Sequence, residues 1–181
     1  MRNKKLLLVI FIPIFVIFCN FLVIKVRAES LTGQVTATVT AQSISISLDN
    51  ASVAFGTIGT TDTKDTTTGA KGVNDSTTAT NDGNIVEDFD IQASNSTNWD
   101  LETPAAPEVY TMKFCTDNCD AAPTWSMVGR AAHTEYARLA SSVASASANT
   151  RVFDLQVGTP TTTTQTGEQA ITVTVRAAAL P

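Results

Sequence analysis

The sequence predicts an all-β protein whose main part is a single antiparallel β-sandwich. Several segments alternate apolar and polar residues with a period of two, and no stretch sustains the 3.6-residue period of a helix. Threonine occurs 29 times, and its β-branched side chain suits the solvent face of a strand. Clusters of Gly, Pro, Asn and Asp separate the alternating segments. Together these observations favour strands joined by turns over a helical fold.

Residues 1–28 have the three parts of a secretory signal peptide. A basic start precedes an apolar run over residues 6–24, and Val26 and Ala28 supply the small residues of a cleavage site. The run is also long enough to span a bilayer as an uncleaved anchor, because about 20 apolar residues suffice. We expect cleavage, so that the sandwich occupies residues 29–181 and the protein is secreted to the extracellular side or the cell surface.

Removal of this leader makes the protein strongly acidic. The chain has 12 Lys and Arg and 17 Asp and Glu, and five of the basic residues lie in the leader, so the mature formal charge is −10. Such a surface repels nucleic acid and anionic lipid. We therefore expect no nucleic-acid partner, and membrane contact only if the leader stays attached.

The first part of the mature chain contains three candidate strand regions. Residues 34–41 alternate small apolar residues with Thr and Gln, which predicts a strand that pairs within its own domain or with a neighbouring subunit. The apolar parity changes near residues 41–43, which predicts a β-bulge or sheet switch before the strand at residues 44–48. Val53 and Phe55 begin another inward face.

Residues 60–84 are rich in Thr, Asp, Gly, Asn and Ser, with Val73 as their one large apolar residue, and predict a polar surface loop. Carboxylates are ligands for hard cations, but these lack the spacing of a calcium-binding loop. We weigh a calcium site against simple solvation of the loop and favour solvation, with no bound metal. The aspartates concerned are Asp62, Asp65, Asp75 and Asp82.

Residues 87–101 predict a β-hairpin with one buried face. Apolar and polar residues alternate from Phe89 to Ala93, a Ser/Asn/Thr turn follows, and Trp99 and Leu101 resume the alternation. A large aromatic residue with an indole N–H suits the centre of a sandwich. We therefore expect Trp99 and Leu101 to anchor the core.

The next strand ends at a pair of cysteines. Its alternating face carries Tyr110, Met112 and Phe114, and Cys115 and Cys119 follow with three residues between them. In an exported chain two such cysteines are expected to oxidise to a disulfide, and this spacing can bring their Cα atoms to the required distance of about 4.4–6.8 Å.

Other chemistry at the cysteines is disfavoured by the scarcity of histidine. His133 is the single histidine, so a zinc site lacks ligands, and no catalytic signature surrounds it. Trp125 and Tyr110 lie near the cysteine loop in sequence and are candidate ligand contacts, because aromatic rings stack on sugars; core packing is the alternative for both.

Three further segments complete the sandwich. Residues 131–148 are compatible with a short helix, but their serine density and the strands that follow favour an irregular crossing or a short strand at residues 136–139. Residues 151–157 and 169–176 alternate clearly and predict strands. The total of about eight or nine short strands is typical of an Ig-like or jelly-roll-like sandwich.

Four stretches of the mature chain share the layout of a known family: Ser47-Leu48, Ala54-Phe55-Gly56-Thr57-Ile58, Asn98-Trp99-Asp100-Leu101 and Ile171-Thr172-Val173-Thr174-Val175. This layout resembles the WxL-type surface domains of Gram-positive bacteria. Trp99 and Leu101 match the first Trp-x-Leu motif of that family, and its second, distal motif has no counterpart in this sequence. The resemblance implies an exported β-rich domain that associates non-covalently with the cell wall.

The sequence contains none of the common catalytic motifs. It has no Gly-x-Ser-x-Gly elbow, no phosphate-binding glycine loop and no His-Glu-x-x-His helix. We therefore expect no enzyme activity, no catalytic residue and no cofactor. The favoured function is a structural or interaction protein of a surface layer, fibre or adhesive layer, whose partners are other surface proteins or itself. The alternative is a non-covalent module that binds cell-wall polysaccharide or another carbohydrate.

The mature N-terminus is predicted to be Glu29. Intact-mass analysis of exported protein is expected to give the mass of residues 29–181. A mass that includes residues 1–28 would mean that the apolar run remains as an anchor.

Overall fold

A computed structural model describes residues 38–146 and 149–180. The chain divides into two units, Met1–Val39 and Thr40–Pro181, and every described strand lies in the second. The signal peptide expected at residues 1–28 lies outside the described part of the chain. Within that part, no helix has the length and apolar character needed to cross a membrane.

The second unit is a β-sandwich of two packed sheets, which confirms the predicted all-β class. Its described residues contain 11 strands, no α-helix and one short 3-10 helix at Ala131–His133. The strands are β1 (Ile46–Leu48), β2 (Thr63–Asp65), β3 (Thr77–Asn81), β4 (Glu87–Ala93), β5 (Asp100–Leu101), β6 (Val109–Cys115), β7 (Ser126–Met127), β8 (Gly129–Arg130), β9 (Ala137–Val143), β10 (Thr150–Gly158) and β11 (Val173–Ala179).

The larger sheet has seven strands in the order β1-β3-β10-β6-β5, with β2 paired to β10 and β7 to β6. Strand β10 pairs with β3 through its first half and with β2 and β6 through its second half. The inward faces predicted for β6 and β10 are confirmed, since alternate residues of both strands are buried. These are Tyr110, Met112, Phe114, Phe153, Leu155 and Val157.

The smaller sheet is built on β4, which pairs with β11 along one edge and with β8 and β9 along the other. Most pairings in the sandwich are antiparallel, and the short β4–β8 and β5–β6 pairings are parallel. Phe89, Ile91 and Ala93 form the inner face of β4 and are fully buried in the core. Strand β4 is therefore the centre of this sheet, and β11 is one of its edges.

The outer face of β4 carries two buried aspartates that bind both neighbouring strands. Arg138 of β9 forms ion pairs with Asp88 and Asp90, and its Nε lies 2.9 Å from Asp90 Oδ1. Arg176 of β11 approaches Asp90 Oδ2 to 3.1 Å and stacks on the Tyr136 ring at 3.7 Å from the centroid. These contacts stabilise the positions of β9 and β11 beside β4.

The hairpin predicted over residues 87–101 is wrong, because β4 and β5 lie in different sheets. Polar side chains between them bind the local backbone instead. The Trp99 N–H donates to Ser96 Oγ at 2.9 Å, and the Leu101 N–H donates to Asn95 Oδ1 at 2.9 Å. These bonds turn the chain from one sheet to the other without strand pairing.

The polar surface loop predicted over residues 60–84 is wrong in part, since β2 and β3 lie within it and several of its threonines are buried. Thr66 is 1 % exposed; its Oγ1 donates to Asp154 Oδ1 at 2.7 Å and accepts the Leu155 N–H at 2.9 Å. The Ser76 hydroxyl donates to the same carboxylate oxygen at 2.6 Å. A fully hydrogen-bonded threonine can be buried, and hydrophobic patterning does not detect it.

The N-terminal part of the sandwich also differs from expectation. Residues 38–45 contain no strand, so the bulge or sheet switch expected near residues 41–43 is wrong. The remainder of the strand expected at residues 34–41 lies outside the described residues. Phe55 and Ile58 belong to no strand, yet both pack against the core.

The C-terminal expectations agree better with the structure. Residues 131–148 contain both the 3-10 helix and β9, which is longer than the short strand expected there. The last strand is confirmed, although β11 begins and ends a few residues later than the alternation predicts.

The buried Thr66 hydroxyl is predicted to contribute measurably to stability. Thr66→Val keeps the branched shape but removes partners from Asp154 and the Leu155 N–H, and should lower the free energy of unfolding by about 1–3 kcal/mol. Thr174→Val, on the exposed face of β11, is the matched control and should change it by less than about 0.5 kcal/mol. Equal effects in urea unfolding would contradict the buried polar cluster.

Candidate functional site

The sandwich is open along the side where β11 faces the segment after β1. Two adjoining cavities of about 770 Å³ and 320 Å³ lie there, between residues 48–60 and residues 157–175. Both cavities are lined by Val53, Phe55 and Ile171. We treat the two cavities as one feature and call it the edge groove.

The floor of the edge groove is the hydrophobic core itself. Met112, Phe153 and Leu155 line the smaller cavity, and each is at most 5 % exposed. These side chains come from β6 and β10 of the larger sheet. The groove therefore enters the space between the two sheets, where a closed sandwich would have continuous packing.

One wall of the groove is the inner face of β11 and the residues before it. Ile171, Val173 and Val175 point inward and pack against the core, but each remains partly exposed. Phe89 and Ile91 on the neighbouring strand β4 are fully buried. The inner face of β11 is thus covered less completely than the face of the strand beside it.

Within the described part of the chain, one edge of the β11 backbone has no strand paired to it. The Ser94 N–H donates to Thr172 O at 2.9 Å, which fixes the phase of the antiparallel ladder between β4 and the C-terminal segment. Since hydrogen-bonded pairs alternate in such a ladder, the N–H groups of Val173, Val175 and Ala177 point away from β4. No described strand other than β4 pairs with β11.

Trp99 lies at the boundary between the core and the larger cavity. Its indole packs against the core while partly exposed, and Nε1 donates to Thr163 Oγ1 at 3.0 Å. The Thr163 hydroxyl donates to Glu108 Oε2 at 2.7 Å, and this bond, with the Thr164 N–H, lowers the pKa of Glu108. Leu101 is 2 % exposed and lies in the core as expected. Trp99 is therefore a groove residue as well as a core contact.

The expectation that Tyr110 contacts a ligand is wrong. Its side chain is 0 % exposed, its hydroxyl donates to Ser94 O, and burial raises its pKa. The alternation of β6 places this ring on the buried face, so it has no free surface for a sugar. Trp125 is partly exposed and does not line the edge groove, and its role as a ligand contact stays a prediction.

Cys115, the last residue of β6, and Cys119 lie at disulfide distance, as predicted. Cys115 Sγ and Cys119 Sγ are 2.14 Å apart, and the Cα atoms are 5.8 Å apart. The bridge closes a loop of three intervening residues at the end of β6. It does not line the edge groove.

Three of the four aspartates of the predicted loop have separate partners. Asp62 Oδ1 lies 2.5 Å from Lys71 Nζ, Asp65 Oδ1 accepts the Thr67 hydroxyl at 2.6 Å, and Asp75 Oδ1 accepts a side-chain amide at 2.7 Å. Within residues 38–146 and 149–180, no three His, Cys, Asp or Glu side chains cluster to hold a metal ion. The structure therefore offers no support for the calcium alternative.

Comparison of the chain with protein-family models, curated proteins and solved structures finds no match. A functional proposal therefore rests on the edge groove. The sequence pattern did not predict this groove. One signal was present: Val53, Phe55 and Ile58 are apolar, yet Gly56, with φ of +67°, interrupts any strand between them. Apolar residues that cannot form a regular strand indicate apolar surface outside the two sheets.

Leu101 is buried more deeply than Trp99, so truncation of the leucine should lower stability more than truncation of the larger tryptophan. Leu101→Ala should lower the free energy of unfolding by about 2–5 kcal/mol, as for a buried leucine. Trp99→Ala should lower it by only about 1–3 kcal/mol, because part of the indole already contacts solvent in the groove. Urea unfolding of both variants measures this order, and a clearly larger loss for Trp99→Ala would show that the indole is central to the core.

Proposed function

We propose that this protein is a secreted or cell-surface structural or interaction protein that acts by protein–protein association, as a component of a surface layer, fibre or adhesive layer. The edge groove is the observation that carries the proposal. It combines partly exposed apolar side chains with N–H groups of β11 that face away from β4 and that no described strand pairs. An extended segment of a partner can pair with such an edge while its alternate side chains fill the apolar space.

Among the edges of the two sheets, β11 is the best suited to accept another strand. It has seven residues that pair with β4 in unbroken register. Strand β9 has the same length, but its pairing with β4 shifts register at two places. Strands β1 and β5 have three and two residues. Bulged or very short edges resist pairing with another chain, whereas a regular edge permits it.

The charge of the protein restricts the partner. Glu168 is the charged residue that lines both cavities, and the mature chain carries a formal charge of −10. An acidic segment is therefore disfavoured in the groove, and an uncharged or basic one is favoured. Added salt should weaken the repulsion between acidic copies and favour their association.

A carbohydrate-binding module is the second candidate function, and Trp99 favours it. Its indole borders the larger cavity together with the side chains of Thr57, Gln165 and Gln169. An aromatic ring beside hydroxyl and amide groups suits a sugar, which has both apolar faces and hydrogen-bonding edges. The resemblance to WxL-type domains supports the same location, since Trp99 belongs to the matched Trp-x-Leu motif.

A charge placed in the edge groove is predicted to abolish association. In sedimentation velocity, mature protein of residues 29–181 should form oligomers, and Val53→Asp should remain monomeric because its carboxylate occupies the wall shared by both cavities. Ala121→Asp adds the same charge on an exposed loop and should associate like the unmodified protein.

Equal association of Val53→Asp and Ala121→Asp would contradict the groove as the contact. Unmodified protein that stays monomeric and binds purified wall polysaccharide, with binding lost in Trp99→Ala, would favour the second candidate function. Circular dichroism of each variant confirms that the fold is retained.

A further inference from the structure

We propose that the edge groove binds residues 34–41 of a second copy of this chain, so that mature protein assembles head to tail. This inference rests on the proposed function and names its partner. The groove supplies apolar pockets and a strand edge that no described strand pairs, and the sequence supplies a segment with complementary properties.

The segment has the alternation that an added strand requires. In an extended strand, the sequence would place Val35, Ala37, Val39 and Ala41 on one face and Gln and Thr residues on the other. The Val39 side chain is 93 % exposed, so this face has an apolar residue without cover. Small side chains of this kind suit the narrow space between two sheets.

The segment also matches the electrostatics of the groove. Residues 30–48 contain no charged side chain, although the mature chain is strongly acidic. The segment can therefore approach Glu168 without placing a second carboxylate beside it. Most other stretches of comparable length in the mature sequence carry aspartate or glutamate.

The lengths of the two elements agree. Strand β11 has seven residues, and the segment has eight. At about 3.3 Å per residue they span roughly 23 Å and 26 Å. Pairing along β11 would satisfy the N–H groups of Val173, Val175 and Ala177 and place alternate side chains of the segment over the groove.

The last residue of the segment and the chain that follows it are anchored at one end of the sandwich. Asn84 Nδ2 donates to Ala41 O at 2.7 Å, the Ser43 N–H donates to Asn84 Oδ1 at 2.8 Å, and the Ser45 N–H donates to Glu87 Oε1 at 3.0 Å. Glu87 pairs with Ala179, the last residue of β11. The larger cavity adjoins Trp99 and Ile171, before the first residue of β11.

This arrangement makes the contact between copies heterologous. Each copy offers its own segment to a neighbour and its own groove to another neighbour. A heterologous contact that does not close into a ring produces an open filament. The proposed fibre or surface layer would follow from this single interface.

Complementation between two variants of the mature protein tests the inference. The segment variant carries Val35→Asp and Val39→Asp, and the groove variant carries Val53→Asp, with Ile171→Asp as a second groove variant if the first does not fold. Thr36→Lys with Thr38→Lys is the control, because it adds two charges to the opposite face of the segment, and basic side chains are compatible with the acidic surface of the protein. Each protein is checked by circular dichroism and measured by sedimentation velocity.

Unmodified protein and the control should form a series of oligomers, and each variant alone should show at least a tenfold loss of species larger than the monomer. An equimolar mixture of the two variants should form a one-to-one dimer and nothing longer, because it contains one intact segment type and one intact groove type. Neither an isologous contact nor a general loss of folding would produce this dimer.

Other outcomes would overturn the inference in distinguishable ways. A segment variant that associates fully, beside a groove variant that does not, would show that the groove takes a different segment, and the proposed function would stand. Folded variants that form no dimer when mixed would also refute the segment as the occupant. Unmodified protein that stays monomeric, with its segment in its own groove or free, would contradict both proposals.

Discussion

The one-sided pairing of β11 is the constraint on which the proposed activity depends. Hydrogen bonds to β4 and the ion pair between Arg176 and Asp90 hold this strand in place from one side. No described strand covers its other edge, so Val173 and Val175 remain partly exposed although they point inward. The same gap opens the space between the sheets as far as Phe153 and Leu155. The groove is thus a consequence of the strand order rather than of any single loop.

The remainder of the sandwich contains a set of buried, hydrogen-bonded polar groups. Thr66 lies between Asp154 and the Leu155 N–H, and Asn81, which is 1 % exposed, donates to Val143 O at 2.9 Å. Such groups stabilise a fold only when their partners are present, so they fix the geometry more tightly than apolar contacts do. They explain how a threonine-rich chain forms a defined core with few large apolar residues.

The alternating segments predicted the fold class and its longest strands because period-two burial depends on local sequence alone. Phe153, Leu155 and Val157 are buried as their alternation indicates. Alternation did not predict pairing, which depends on distant residues: β4 and β5 resemble the two arms of a hairpin but enter different sheets. The hydrophobic pattern also did not predict that Thr66 is buried, because its burial depends on a hydrogen bond to a carboxylate 88 positions away. The groove was not predictable for the same reason, since its walls come from segments that are distant in the sequence, residues 53–60 and residues 157–171.

Amide hydrogen exchange along β11 measures whether the edge of this strand pairs with a segment of a neighbouring copy. In dilute monomeric protein, the N–H groups of Val173, Val175 and Ala177 should exchange rapidly, and those of Thr174 and Arg176, which face β4, should exchange slowly. In assembled protein the account predicts that the first three become as slow as the other two, because a strand from a neighbouring copy now pairs with them. If these three amides exchange equally fast in the assembled and monomeric protein, the edge of β11 is not the contact and the account is contradicted.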